Sequence, residues 1–230
     1  MDKLRQKSKS VHDQLIKSVH RQLDADLAAG DPKAKAFATT LHDELNVARK
    51  SLGIQPLLET DDIWIGSKFL AATNGVLILG ESTYGDGPPF SEYVPKWCRG
   101  EQCDKTFTRV FNACSGAEPT HVTHTEREEF WATVAFDNFV QESVGPTRVH
   151  RPSQDHYRSA ATTLLARLQR LKPRGVLVLG NCQAEFSEAP LRDSGIPYVI
   201  CRHPTAYGVR TSELKAAWNE LQSKMRSQEA

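Results

Sequence analysis

Gly75-Val76-Leu77-Ile78-Leu79-Gly80-Glu81-Ser82-Thr83-Tyr84-Gly85 opens as an apolar run with no alternation, the pattern of a strand buried on both faces. The run stops at Gly80 and passes into a polar turn, followed by Asp86-Gly87-Pro88-Pro89. In an open α/β sheet, ligands bind beyond the carboxyl ends of the strands, so this turn marks a candidate site. Far along the chain, Pro197-Tyr198-Val199-Ile200-Cys201 repeats the strand pattern and runs into Arg202-His203-Pro204-Thr205. With these two strands side by side, Glu81, Tyr84 and His203 would face one crevice.

Working outward, the residues before this strand read as two helices. Val11, Leu15, Val19 and Leu23 fall at helical spacing, and Gly30 ends that pattern. Asp31-Pro32 starts a second helix, with Phe37, Leu41, Leu45 and Ala48 as its apolar stripe. They form a helical extension, residues 1–60, ahead of an α/β domain, residues 61–230. Lys3, Arg5, Lys7, Lys9, Lys17 and Arg21 make the extension basic, which reads first as a solvated helix face, with DNA contact or oligomerisation as the alternatives.

After Gly85 the residues Pro88, Pro89, Phe90, Tyr93, Pro95 and Trp97 read as a long aromatic loop. A helix is expected from about Lys105 to Cys114, and Thr125-Glu126-Arg127-Glu128 reads as the capping box of a short helix through Trp131. Thr133 to Val140 is the next strand, with Asp137 and Asn138 toward its carboxyl end. Ser153 caps a long helix through Leu171, Gly175 to Gly180 is a third strand, and a short helix leads to the fourth strand at Pro197–Cys201. A last helix runs from about Ser212 to Met225. Strands alternating with helices predict a three-layer α/β/α domain built on a four-stranded parallel sheet.

Hydrophobic residues make up 39% of the chain, the net charge is +1 and the mean hydropathy is −0.48. No apolar run approaches the roughly 18 residues of a membrane span, and the charged start Met1-Asp2-Lys3-Leu4-Arg5 lacks the apolar stretch of a secretory signal. A cytoplasmic protein is expected. Five cysteines argue for reduced thiols, because Cys98, Cys103 and Cys114 do not follow zinc spacing and offer no fourth ligand for an iron–sulfur cluster.

The strand ends carry Gly80-Glu81-Ser82-Thr83-Tyr84, Asp137-Asn138, Gly180-Asn181 and His203-Pro204-Thr205. In this order they resemble the uracil-DNA glycosylase superfamily over roughly residues 60 to 228. The resemblance implies roles residue by residue. Tyr84 would crowd the C5 edge of a flipped pyrimidine, and Asn138 would read the base edge with an amide that both donates and accepts. His203 would hold the oxygen of the departing base, a preorganised donor in a dry pocket. Phe90 would stack on the base, and Tyr207 would fill the gap it leaves in the duplex.

The uracil-specific branch carries Asp where Ser82 stands and Pro where Thr83 stands, whereas the iron–sulfur branch carries Glu at the position of Glu81. The resemblance therefore makes Glu81 the first choice for placing water or stabilising the sugar cation, and Asp137 the second. Ser82, Arg151, Thr205 and Arg210 would hold backbone phosphates. Arg148-Val149-His150-Arg151-Pro152-Ser153 is similar to a loop through which one branch traps uracil covalently. The implied activity is a monofunctional DNA glycosylase, a monomer acting on DNA with neither metal nor organic cofactor. Its base would be uracil, another deaminated base, or a hypermodified pyrimidine of phage DNA, in repair or antiphage defence.

Two other readings stand beside it. Gly80-Glu81-Ser82-Thr83-Tyr84 nearly fits a nucleophile elbow, and Asp193 and His203 follow in the order of a serine hydrolase triad, although Tyr84 stands where the sharp turn takes glycine. A non-catalytic relative would bind abasic or modified DNA without releasing a base. The motif of a zinc deaminase is not found.

Overall fold

The computed structural model describes residues 63–72, 75–85, 87–116, 122–147 and 149–229. The two N-terminal helices and Arg148 lie outside the described residues. Among those described, five strands alternate with six helices. The strands are β1 (Trp64–Ile65), β2 (Val76–Thr83), β3 (Ala135–Ser143), β4 (Gly175–Leu179) and β5 (Tyr198–Cys201). The helices are α1 (Phe90–Cys98), α2 (Lys105–Cys114), α3 (His124–Thr133), α4 (Gln154–Leu171), α5 (Ala184–Ser194) and α6 (Thr211–Glu229).

The sheet has the order β1-β3-β2-β4-β5. Its last four strands are parallel, and β1 adds an antiparallel edge through Trp64 opposite Phe136. Five strands thus replace the expected four. The two-residue β1 has no periodicity of its own and exists because it pairs with β3. Its approach depends on Gly66, where a Cβ would meet the Trp131 and Ala132 carbonyl oxygens at 2.3 Å.

Both faces of the sheet are covered, which is why the strands read as unbroken apolar runs. Val76 and Ile78 of β2 pack with Trp97, Phe107, Phe111, Trp131 and Trp218 from α1, α2, α3 and α6. Leu77 and Leu79 point the other way and pack with Leu164 and Leu168 of α4 and Leu191 of α5. The aromatic side is dense; Phe107 stacks on Trp131 with ring centroids 4.6 Å apart.

Several segments differ from the sequence reading. β2 continues past Gly80 through Thr83 because Ser82 and Thr83 still pair with β3, and β3 runs from Ala135 to Ser143, so Asp137 and Asn138 lie within the strand rather than toward its carboxyl end. The expected aromatic loop is helix α1, which starts after Pro89 and carries Pro95 within it. Val94, Trp97 and Cys98 are its buried face, at spacings of three and four that the prolines obscure. The capping box of α3 is formed by Thr123 and Glu126, two residues before the expected one. Ser153 caps α4 as expected. None of the helices among the described residues is long and apolar enough to cross a membrane.

Candidate active site

The carboxyl end of β2, the first half of β3 and the turn after β5 open into a cleft of about 760 Å³. Its wall includes Glu81, Ser82 and Tyr84 from the end of β2, Asn138 and Phe136 from β3, Phe90 from α1, Arg151 before α4, and His203 and Thr205 after β5. β2 and β5 are not side by side, because β4 lies between them. Their ends still meet in one cleft because all the parallel strands finish at the same edge.

A register shift between β2 and β3 at Ser82/Thr83 shapes the floor. Such bulges redirect side chains beside functional sites. Asn138 is 7% exposed, and its Nδ2 donates to Thr83 Oγ1 at 2.8 Å. Gly80 makes room for that amide, since a Cβ there would lie 2.3 Å from Asn138 Oδ1. The Ser82 hydroxyl is buried with no hydrogen-bond partner among the described residues.

Glu81 is 8% exposed, and both its oxygens are engaged. Tyr157 Oη donates to Oε1 at 2.7 Å, and an Arg151 guanidinium nitrogen donates to Oε2 at 2.9 Å. Tyr157 lies 76 residues away on α4 and carries no motif, so nothing local in the sequence singles it out.

His203 is fixed from its own turn. The Thr205 backbone N–H donates to His203 Nδ1 at 3.2 Å, and the Thr205 hydroxyl lies 2.9 Å from the same nitrogen. Nδ1 is therefore the acceptor, and the neutral ring carries its proton on Nε2. Burial pushes the imidazole below its ordinary range, and Arg151 pushes the same way, against the charges of Glu81 and Asp104. A neutral Nε2–H donor at pH 7 is the result. Arg109 of α2 donates to the Pro204 carbonyl and ties the turn to the helical layer.

Phe90 and Phe136 meet edge to face, with centroids 4.8 Å apart. Beyond them the cleft extends to the α1–α2 junction. Asp104 caps α2 by accepting from the Phe107 N–H at 2.9 Å and takes the Tyr93 hydroxyl at 2.8 Å. The sequence reading missed Asp104, which its place just before the helix at Lys105 could have marked as a cap; the aromatic residues of α1 were hidden in what read as a loop.

Other expected residues lie elsewhere. Asp137 is 1% exposed and faces α4, where it pairs with Arg167, so it does not line the cleft. Neighbouring strand residues point to opposite faces, and Asn138 takes the cleft side. Tyr207 is 99% exposed on the turn beyond Thr205, and Arg210 is exposed at the start of α6, with its N–H donating to Glu213. His150 bonds Thr147 through Nδ1 at 3.0 Å and packs against Gly145 outside the cleft wall.

The hydrolase triad does not assemble. Asp193 is exposed near the end of α5, which leads into the amino end of β5, whereas His203 follows the carboxyl end. Thr205 occupies the nitrogen that a triad carboxylate would take. The five cysteines are free thiols. Burial raises Cys98 to about 11 and Cys201 to about 12, leaving both as inert thiols at neutral pH.

The sequence matches no protein-family model and no curated protein.

Proposed function

We propose that this chain is a monofunctional DNA glycosylase that flips a base into the cleft and hydrolyses its N-glycosidic bond. The observation that carries this reading is the convergence of Glu81, Asn138 and His203 in one cleft floored by Phe90 and Phe136. In the proposed reaction the base stacks against the aromatic floor, and Asn138 reads its edge with donor and acceptor together. As the bond to the sugar lengthens, negative charge gathers on the base and His203 Nε2–H donates to its oxygen. Glu81 faces the opposite, cationic fragment and orients the water that completes hydrolysis.

The cleft is larger than one unmodified pyrimidine needs. Its extension toward Asp104 and Thr106 leaves a deaminated base or a bulkier substituted pyrimidine as the proposed substrate. Repair and antiphage defence are the two proposed settings. DNA is the proposed partner, and the exposed Arg151 side chain on the cleft wall is the group proposed to meet a backbone phosphate.

The test is base release, followed by mass spectrometry, from duplexes carrying uracil, hypoxanthine, xanthine, hydroxymethylcytosine or glucosylated hydroxymethylcytosine, and from intact phage DNA. Release of one base, lost in Glu81→Gln and His203→Ala, is the expected result. Binding to these duplexes without release from any of them would instead make the chain a non-catalytic DNA-binding relative.

A further inference from the structure

We propose that Tyr157 is a positioning residue for Glu81, and that its hydroxyl, rather than the Arg151 guanidinium, keeps the carboxylate aimed into the cleft; the part Glu81 plays in base release rests on the glycosylase reading above. Glu81 has two partners of unlike character. The Arg151 side chain is 68% exposed, and ion pairs with an exposed arm contribute little because water and salt compete for both charges. The Tyr157 hydroxyl is buried and bonds the same carboxylate at 2.7 Å. A hydrogen bond to a charged group away from water is among the stronger ones, and losing it leaves a buried oxygen unpaired.

The ring that carries this hydroxyl is stacked with two others. Phe139 of β3 stacks at 6.3 Å and 24°, and Phe186 of α5 at 5.3 Å and 17°. Three rings from three elements thus fix the direction from which the donor reaches Glu81. Burial and the adjacent carboxylate push the phenol well above its ordinary range, so it remains a donor at any working pH. A phosphodiester at the cleft mouth competes directly for Arg151 but cannot reach Tyr157. The carboxylate therefore stays in place when the arginine turns to DNA.

The charged and titratable groups around Glu81 come from every element at this edge. Arg151 precedes α4, Tyr157 sits on α4 and His203 follows β5. Tyr84 after β2 and Cys182 after β4 lie within electrostatic reach of Arg151. Among these, His203 is the useful reporter, because the Glu81 charge raises its proton affinity.

Tyr157→Phe keeps the ring stack and removes only the hydroxyl. The rate constant for base release should fall roughly ten- to a hundredfold, while the Kd for duplex stays within about twofold. The His203 titration midpoint, read by NMR in the DNA-free protein, should fall toward the value found in Glu81→Gln as the carboxylate drifts from the ring. A midpoint that stays at the wild-type value overturns the proposal, whatever the rate does. Should the wild-type protein release no base from any duplex, the glycosylase reading fails, and the His203 titration still decides whether Tyr157 holds Glu81. If Tyr157→Phe does not fold, Phe186→Leu loosens the stack and should move the midpoint the same way by a smaller amount; no movement there overturns the proposal as well.

Discussion

Asp137 and Arg167 form an ion pair in which each side chain is 1% exposed. Arg167 also donates to the Asn138 and Phe139 carbonyls, each at 2.9 Å, so a single guanidinium clamps β3 to α4. Gln141 donates to the other Asp137 oxygen at 3.2 Å. Breaking a buried pair on one side strands the other charge, which costs about 3–5 kcal/mol. Asp137→Ala should lose that much in urea denaturation, and pairing it with Arg167→Met should recover most of the loss. A stable Asp137→Ala protein would show that the pair contributes little.

The neutrality of His203 is open to direct titration. Its folded proton affinity is lowered, so the unfolded chain takes up the proton first as the pH falls below about 6.5. The stability it contributes is therefore complete above that pH and declines through the window just beneath it. By NMR the midpoint should lie below 6.5. It should fall further in Glu81→Gln, which removes a charge that favours protonation, and rise in Arg151→Gln, which removes one that opposes it. Movement in the reverse directions would contradict the arrangement of charges described above.

Gly80→Ala tests the cleft floor. The added Cβ would lie 2.3 Å from Asn138 Oδ1 and 3.2 Å from the Phe136 ring. Displacing them should cost about 1–3 kcal/mol of stability, as overpacking does. It should also reduce base release more than duplex binding, because Asn138 loses its aim. An unchanged melting temperature with full activity would mean that the floor yields freely.

Tyr207 is 99% exposed, and the hydrogen bond it accepts from Arg202 at 2.8 Å goes to its backbone carbonyl, which loss of the ring leaves in place. Tyr207→Ala should leave stability within about 0.5 kcal/mol. If the ring fills the space of a flipped base, release from duplex DNA should drop about tenfold while release from a single strand is preserved. Equal losses on both substrates would rule out the wedge role.

Lys172 ends α4 in the left-handed region at φ 49° and is exposed. Only glycine occupies that region without steric cost. Lys172→Gly should therefore stabilise the domain by about 1 kcal/mol in thermal melts, with no change at the cleft.

Much of this architecture follows from local sequence. Unbroken apolar runs can be satisfied only by a sheet covered on both faces, and Ser153 and the limits of α2 were legible because helix ends need capping groups close by in the chain. The local signals failed where pairing or packing overrode them. β1 exists only against β3, and α1 hides its buried face behind three prolines. At the site, Glu81, Asn138 and His203 were legible as polar residues that interrupt or follow apolar runs. Asp137 and Asn138 are adjacent, and a strand's alternation requires them to face opposite layers without saying which layer holds the cleft. Only the packing of α4 against β3 decided that, by drawing Asp137 to Arg167. The same packing brought Tyr157 to Glu81 across 76 residues, a contact that chain order cannot encode because it depends on how two layers meet.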